Sequence, residues 1–188
     1  MIFYLVRHGQ TDWNNEKRFQ GHRDIPMNHT GIQQINELAD QIVKGGIVFD
    51  KLIVSPLDRA RRSAEIIADK TGFKGGIVFD NDFIERNCGL LEGEIWNPEL
   101  DLDDPKYNME TISEMCDRAK KALEKYTFSE DDRIMIVSHG AILTAVRTVL
   151  SDYKLDYHDR TVPVIQGNIL CCKIEEGKDA AFFNAFEG

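Results

Sequence analysis

Apolar and polar positions follow two rhythms along this chain. Short unbroken apolar runs at residues 2–6, 52–54 and 134–137 have the length and β-branched content of buried strands. Runs at 169–174 and 180–186 predict two further strands. Between them the period becomes helical. From Ile32, apolar residues recur at Ile35, Leu38, Ala39 and Ile42, and Gly45-Gly46 supplies the stop. Ser55-Pro56 predicts an N-cap and a proline at the first helical position, opening a helix to about Lys70 with Ala60, Ala64 and Ile67 inward. Thr111 and Glu114 have the spacing of a capping box ahead of Ile112, Met115, Ala119, Leu123 and Tyr126. A fourth helix follows His139-Gly140 and ends near Leu150. This alternation predicts an α/β fold of three layers, with a mostly parallel central sheet flanked by helices.

The hexapeptide Gly-Gly-Ile-Val-Phe-Asp occurs at Gly45 and again at Gly75, which reads as chance or as two similar helix-to-strand turns. Residues 94–110 are acidic, proline-bearing and aperiodic. The 188 residues therefore predict a single domain, 1–188, with a small cap or lid insertion around 94–110.

Charge narrows the partners. With 23 basic and 32 acidic side chains the net charge is −9, and the longest basic run is Arg61-Arg62. Nucleic acid and anionic membranes gain nothing from such a surface. The apolar run at 2–6 is cut off by Arg7, so neither a targeting segment nor a membrane span is expected, and a cytoplasmic location is. Cys88, Cys116, Cys171 and Cys172 lack metal-type spacing and read as reduced core thiols. The adjacent pair should face opposite sides of a strand.

In open α/β sheets, ligands bind beyond the carboxyl ends of the strands. The first strand leads into Arg7-His8-Gly9, the second into Ser55-Pro56 and then Arg59, and the third long run into Ser138-His139-Gly140. Two imidazoles and two guanidiniums thus reach one sheet edge. That set suits a phosphate: arginine binds it through a planar fork, a neutral imidazole at His8 can attack phosphorus, and a protonated His139 would stabilise equatorial charge. No carboxylate cluster with metal-ligand spacing accompanies them, so no metal and no cofactor are expected.

The stretch Leu5-Val6-Arg7-His8-Gly9-Gln10-Thr11 resembles the signature of the histidine phosphatase superfamily, the phosphoglycerate mutase-like family. The resemblance continues in Phe19-Gln20-Gly21-His22-Arg23-Asp24, Ser55-Pro56-Leu57-Asp58-Arg59-Ala60, Phe83-Ile84-Glu85 with Glu92-Gly93, and Val137-Ser138-His139-Gly140. It implies His8 as nucleophile, Glu85 as general acid, and Arg7, Asn14, Arg59 and His139 around the phosphate. Gln20, Gly21, Arg62 and His22 become candidate substrate contacts. Leu91, Cys88 and Ser63 depart from the usual residues beside the site and leave substrate preference open.

The resemblance further implies a metal-independent phosphomonoester hydrolase, like a histidine acid phosphatase, acting on a small phosphorylated metabolite through a phosphohistidine. Glu85 would begin protonated. The short segment between Glu85 and His139 favours hydrolysis. A phosphoglycerate mutase-type phosphotransferase and a non-catalytic phosphate-recognising domain are the alternatives. If residues 94–110 fold over the site, Glu94, Glu99, Asp101, Asp103 and Asp104 would repel polyanions, and Trp96 and Tyr107 could stack on a sugar or ring. The sequence assigns no oligomeric state.

Overall fold

The computed structural model describes residues 1–102 and 104–186. In chain order come β1 (Ile2–Arg7), α1 (Asp12–Asn15), α2 (His29–Lys44), β2 (Lys51–Val54), α3 (Asp58–Thr71) and β3 (Ile77–Phe79). Then follow α4 (Ile112–Glu124), β4 (Arg133–Ser138), α5 (Gly140–Leu150), β5 (Ile169–Lys173) and β6 (Ala181–Asn184). The strands form one sheet in the order β3-β2-β4-β1-β5-β6. The pairs β3–β2, β2–β4 and β4–β1 are parallel, whereas β5 and β6 complete one side in antiparallel fashion. This is the expected mixed α/β sheet flanked by helices.

Strict alternation along the strands builds two cores. Tyr4, Val6, Leu52, Val54, Met135 and Val137 pack with Ile35, Leu38 and Ile42 of α2 and with Ala60, Ala64 and Ile67 of α3. Phe3, Leu5, Ile53, Ile134 and Ile136 face the other way, against Met115 and Ala119 of α4 and Ile142 and Val146 of α5. Burying each of these aliphatic side chains contributes about 1.5–3 kcal/mol. Cys171 joins the first core and Cys172 the second, and all four cysteines are buried and free. Among the described residues, no helix is long and apolar enough to cross a membrane.

The structure corrects the predicted elements in two places. Strand β3 carries the second hexapeptide and was not expected as a strand; Val78 and Phe79 are exposed at the sheet edge, so no buried run announces it. The first hexapeptide, by contrast, lies wholly between α2 and β2 and forms no strand. Ser55 is not the N-cap of α3. That helix starts at Asp58 after Leu57, which makes no side-chain cap, and the Asp58 N–H instead donates to Asp24 Oδ1 at 2.7 Å. The capping box at Thr111 and Glu114 is present on α4.

Candidate active site

Parallel β1 and β4 lie side by side, with Arg7 opposite Ser138. The next residue on each strand is therefore a neighbour, and the ladder continues through His8 N–H to the Ser138 carbonyl at 2.9 Å. The His8 and His139 rings end up 5.1 Å apart between centroids. A cavity of about 220 Å³ opens at His8, lined among others by Arg7, Asn14, Gln20, Gly21, Arg59 and Glu85, with the fully buried His139 behind His8 and not itself lining it. A larger cavity of about 450 Å³ at the β5–β6 side carries no ionisable side chain and offers this chemistry nothing.

The hydrogen bonds of His8 settle its tautomer. Nδ1 lies 2.7 Å from the Gly9 carbonyl, which can only accept, so Nδ1 carries the proton and Nε2 keeps its lone pair. The ring is buried, and burial, then Arg59 and Arg7, push its pKa well below the ordinary histidine value. A neutral imidazole follows. Close packing holds the turn: a Cβ on Gly9 would lie 2.4 Å from the Gly31 carbonyl oxygen. The Gly9 N–H donates to Ser63 Oγ at 3.2 Å, so the serine that departs from the resemblance has a place in the site's framework.

Arg59 is fully buried on the first turn of α3. Its Nε donates to His139 Nδ1 at 3.2 Å, Nη1 to the Arg23 carbonyl at 2.7 Å and Nη2 to the Gly21 carbonyl at 3.0 Å. Other guanidinium N–H groups stay available to an anion. Because Arg59 must donate, His139 Nδ1 accepts, and its Nε2–H is donated to Ser55 Oγ at 2.7 Å. Both ring nitrogens of His139 are engaged in this arrangement, which is that of a neutral imidazole. Burial first and Arg59 second depress its pKa well below the usual value. Arg7 differs from Arg59: its Nε–H is buried with no hydrogen-bond partner among the described residues. An orphaned cationic donor on a cavity wall is a strong pointer to an anionic ligand.

Glu85 reaches the same cavity from the segment after β3. Its Oε1 accepts the N–H groups of Arg86 at 2.9 Å and of Ala141 and Ile142, each at 3.2 Å, at the start of α5. Each contact is a donated N–H, two of them from the N-terminal turn of α5, and together they hold the Glu85 carboxyl at the cavity.

The remaining candidates separate. Asn14 and Gln20 line the cavity and share Thr11, whose hydroxyl lies 3.1 Å from Asn14 Oδ1 and 2.9 Å from Gln20 Oε1. Gly21 lines it too, in a left-handed turn at φ +50° where Glu92 Oε1 occupies the Cβ position. His22 is exposed and lies outside this cavity, with Nε2 2.9 Å from the Glu85 carbonyl oxygen. Arg62 is not brought to the site: it is exposed and pairs with Glu65 at 3.1 Å. From the expected lid, only Met109 lines the cavity, while Asp103 lies outside the described residues. The acidic side chains described there do not line it, so the expected repulsion of polyanions loses its basis.

Sequence reasoning missed several members. Ser55 orients His139. Arg18, Phe19, Arg86, Cys88 and Tyr157 complete the cavity wall. Arg118 of α4 donates to the carbonyls of Asp82 and Ile84, each at 2.8 Å, and of Glu85 at 3.3 Å, and pairs with Glu110 at 2.7 Å; it holds the segment that carries Glu85. Among the described residues no cluster of three histidine, cysteine or acidic side chains has the arrangement of a metal site.

A family model described as the histidine phosphatase superfamily (branch 1) matches residues 3–181. The chain is 38% identical over 150 residues to an uncharacterized phosphatase, PhoE, of Bacillus subtilis (strain 168), covering 78% of this chain and 76% of that protein. It is 38% identical over 162 residues to a probable phosphoglycerate mutase, GpmB, of Escherichia coli (strain K12 / DH10B), covering 78% and 74%. Among solved structures it matches a phosphoserine phosphatase mutant from Entamoeba histolytica in complex with phosphoserine. The TM-score is 0.77 at 26% identity, over 98% of this chain and 96% of that one.

Proposed function

This chain belongs to the histidine phosphatase superfamily, branch 1, and from that premise we propose that it hydrolyses a small phosphomonoester through a phosphohistidine on His8. The observation that carries this reading is the His8 tautomer: Nδ1–H is committed to Gly9, so a bare Nε2 faces the phosphate cavity. Phosphate docks against the unpartnered Arg7 and the remaining donors of Arg59, with Asn14 and His139 beside it. Nε2 attacks phosphorus in line and the P–O ester bond breaks. Glu85 gives a proton to the leaving alkoxide, then takes one from the water that cleaves the N–P bond.

Arginine charge does here what a divalent cation does in other phosphoryl transfers. The reaction is proposed to need no metal, and activity should survive EDTA. Hydrolysis is preferred over mutase chemistry because Glu85 is only half-buried and the 94–110 segment adds just Met109 to the cavity. Both names occur among the relatives, phosphatase and probable phosphoglycerate mutase, so the preference rests on the cavity. Adding a bisphosphorylated primer separates the two activities, since only a mutase needs it. The buried free cysteines suit a reducing compartment, and a cytoplasmic location belongs to the same proposal.

The test is partitioning. With glycerol present, a common phosphoenzyme should give the same ratio of glycerol phosphate to inorganic phosphate from p-nitrophenyl phosphate and from an alkyl ester. A ratio that follows the leaving group would overturn the intermediate. Replacing the acid should separate the substrates. Glu85→Gln is expected to cut kcat/KM for an alkyl phosphate by about 10²–10³-fold. It should cost p-nitrophenyl phosphate less than about tenfold, since that alcohol leaves without help. Equal losses on both esters would remove Glu85 from proton transfer.

A further inference from the structure

At about 220 Å³ the catalytic cavity falls below the ~300–1,000 Å³ usual for whole small-molecule sites. It holds a phosphoryl group and a short alcohol, so a larger leaving group must run into a neighbouring hollow. Three hollows share its walls. One meets it only at Met109 and carries Glu110 and Glu114, with its Arg118 already paired to Glu110. Another meets it only at Tyr157 and carries Asp117 and Asp156 with no basic residue. The third, of about 300 Å³, shares Asn14, Arg18 and Phe19, and adds Lys17 and Trp96. It has no acidic lining residue; its Arg18 is paired with Glu16 at 2.5 Å, while Lys17 pairs with no carboxylate among the described residues. For an anionic substrate on a chain of net charge −9, the basic hollow is the favourable exit.

Trp96 is 49% exposed there. Its position is nevertheless fixed by backbone. The Trp96 N–H donates to the Lys17 carbonyl at 2.7 Å, Ile95 bridges Arg18, and the Phe19 N–H donates to the Glu94 carbonyl at 3.0 Å. Lys17 sits at φ +57°, a left-handed conformation that costs a side-chain-bearing residue free energy and is held by the contacts around it. A half-exposed indole on a rigid ladder, beside an unpaired ammonium, has the features of a stacking platform with a hydrogen-bond donor at its rim.

We infer that Trp96 and Lys17 form a second subsite that takes a planar, acceptor-bearing ring, so that the preferred substrate is a ring–sugar–phosphate ester of the nucleoside monophosphate type. The inference rests on the hydrolase reading for the position of the phosphate. A ring esterified directly to phosphate would stay in the first cavity, against Phe19 and Tyr157. A sugar spacer would let it extend past the wall the two hollows share at Asn14, Arg18 and Phe19.

The test compares adenosine 5′-monophosphate, glucose 6-phosphate and glycerol 3-phosphate. In Trp96→Ala, the KM for adenosine 5′-monophosphate relative to that for glycerol 3-phosphate should rise about tenfold, and Trp96→Phe should restore most of it. An unchanged ratio overturns the subsite, and an equal effect on glucose 6-phosphate overturns the planar ring. Binding is measured separately in the His8→Ala background, where adding Trp96→Ala should weaken the Kd for adenosine 5′-monophosphate about tenfold; an unchanged Kd also overturns the subsite. Turnover that survives His8→Ala would instead sink the phosphohistidine reading that places the phosphate at His8, so the two failures are told apart.

Discussion

His8→Ala is expected to lower kcat by at least about 10⁴-fold with every phosphomonoester, including activated aryl esters. The argument is one of unique placement. Among the groups lining the cavity, His8 alone presents a neutral nitrogen with a free lone pair, because the nitrogens of His139 are both engaged, by Arg59 and by Ser55. Arginines cannot attack, and the Cys88 thiol, pushed up to about 12 by burial, is not a thiolate at neutral pH. The variant should still bind inorganic phosphate, since Arg7 and Arg59 remain, and calorimetry on the same preparation would separate lost chemistry from lost structure. The depressed His8 pKa adds a sign. The nucleophile is bare above that pKa, so the acid limb of kcat/KM should fall below pH 6.5 rather than at it. Wild-type rates in purified His8→Ala, or an acid limb above pH 6.5, would contradict this placement.

The second large effect belongs to Arg59→Lys, which keeps the charge and removes the fork. One ammonium cannot reach His139 Nδ1 and the carbonyls of Gly21 and Arg23 together. At least one buried acceptor loses its donor, at about 1–3 kcal/mol each. A fall in the urea midpoint should follow. The turn that carries Gln20 and Gly21 is released at the same time, and His139 loses the bond that sets its tautomer. A loss of about 10²–10³-fold in kcat/KM is expected, the scale of removing one organised donor. Near-normal stability and turnover in Arg59→Lys would show that charge alone suffices and that the hydrogen-bond geometry around this residue carries no weight.

The part of this site that could be read from sequence is the part delivered by strand ends. His8, Arg7 and His139 follow apolar runs directly, and a sheet rule locates them without coordinates. Arg59 follows because its helix opens just past another strand. What escaped depends on contacts far apart in the chain. Ser55 looks like a helix cap, yet its hydroxyl is taken by His139 and a distant Asp24 serves the helix instead. Arg118 and Tyr157 reach the site from segments without any motif. Arg62 shows the opposite failure. Three helical residues advance about 300°, so it sits about 60° away from Arg59, enough to leave the buried face and pair with Glu65 in solvent. Strand β3 escaped because two of its three side chains are exposed, so its pattern resembles a loop.

The 5.1 Å between the two imidazoles is close to the lateral repeat of a β-sheet. Their spacing is therefore measured out by main-chain ladders buried on both faces, the stiffest ruler a protein owns. The outer wall, by contrast, is drawn from surface segments around Phe19, Met109 and Tyr157. Evolution or an engineer can redraw that wall to admit a different alcohol while the two rings keep their distance, because the yardstick is backbone and has no side chain to mutate.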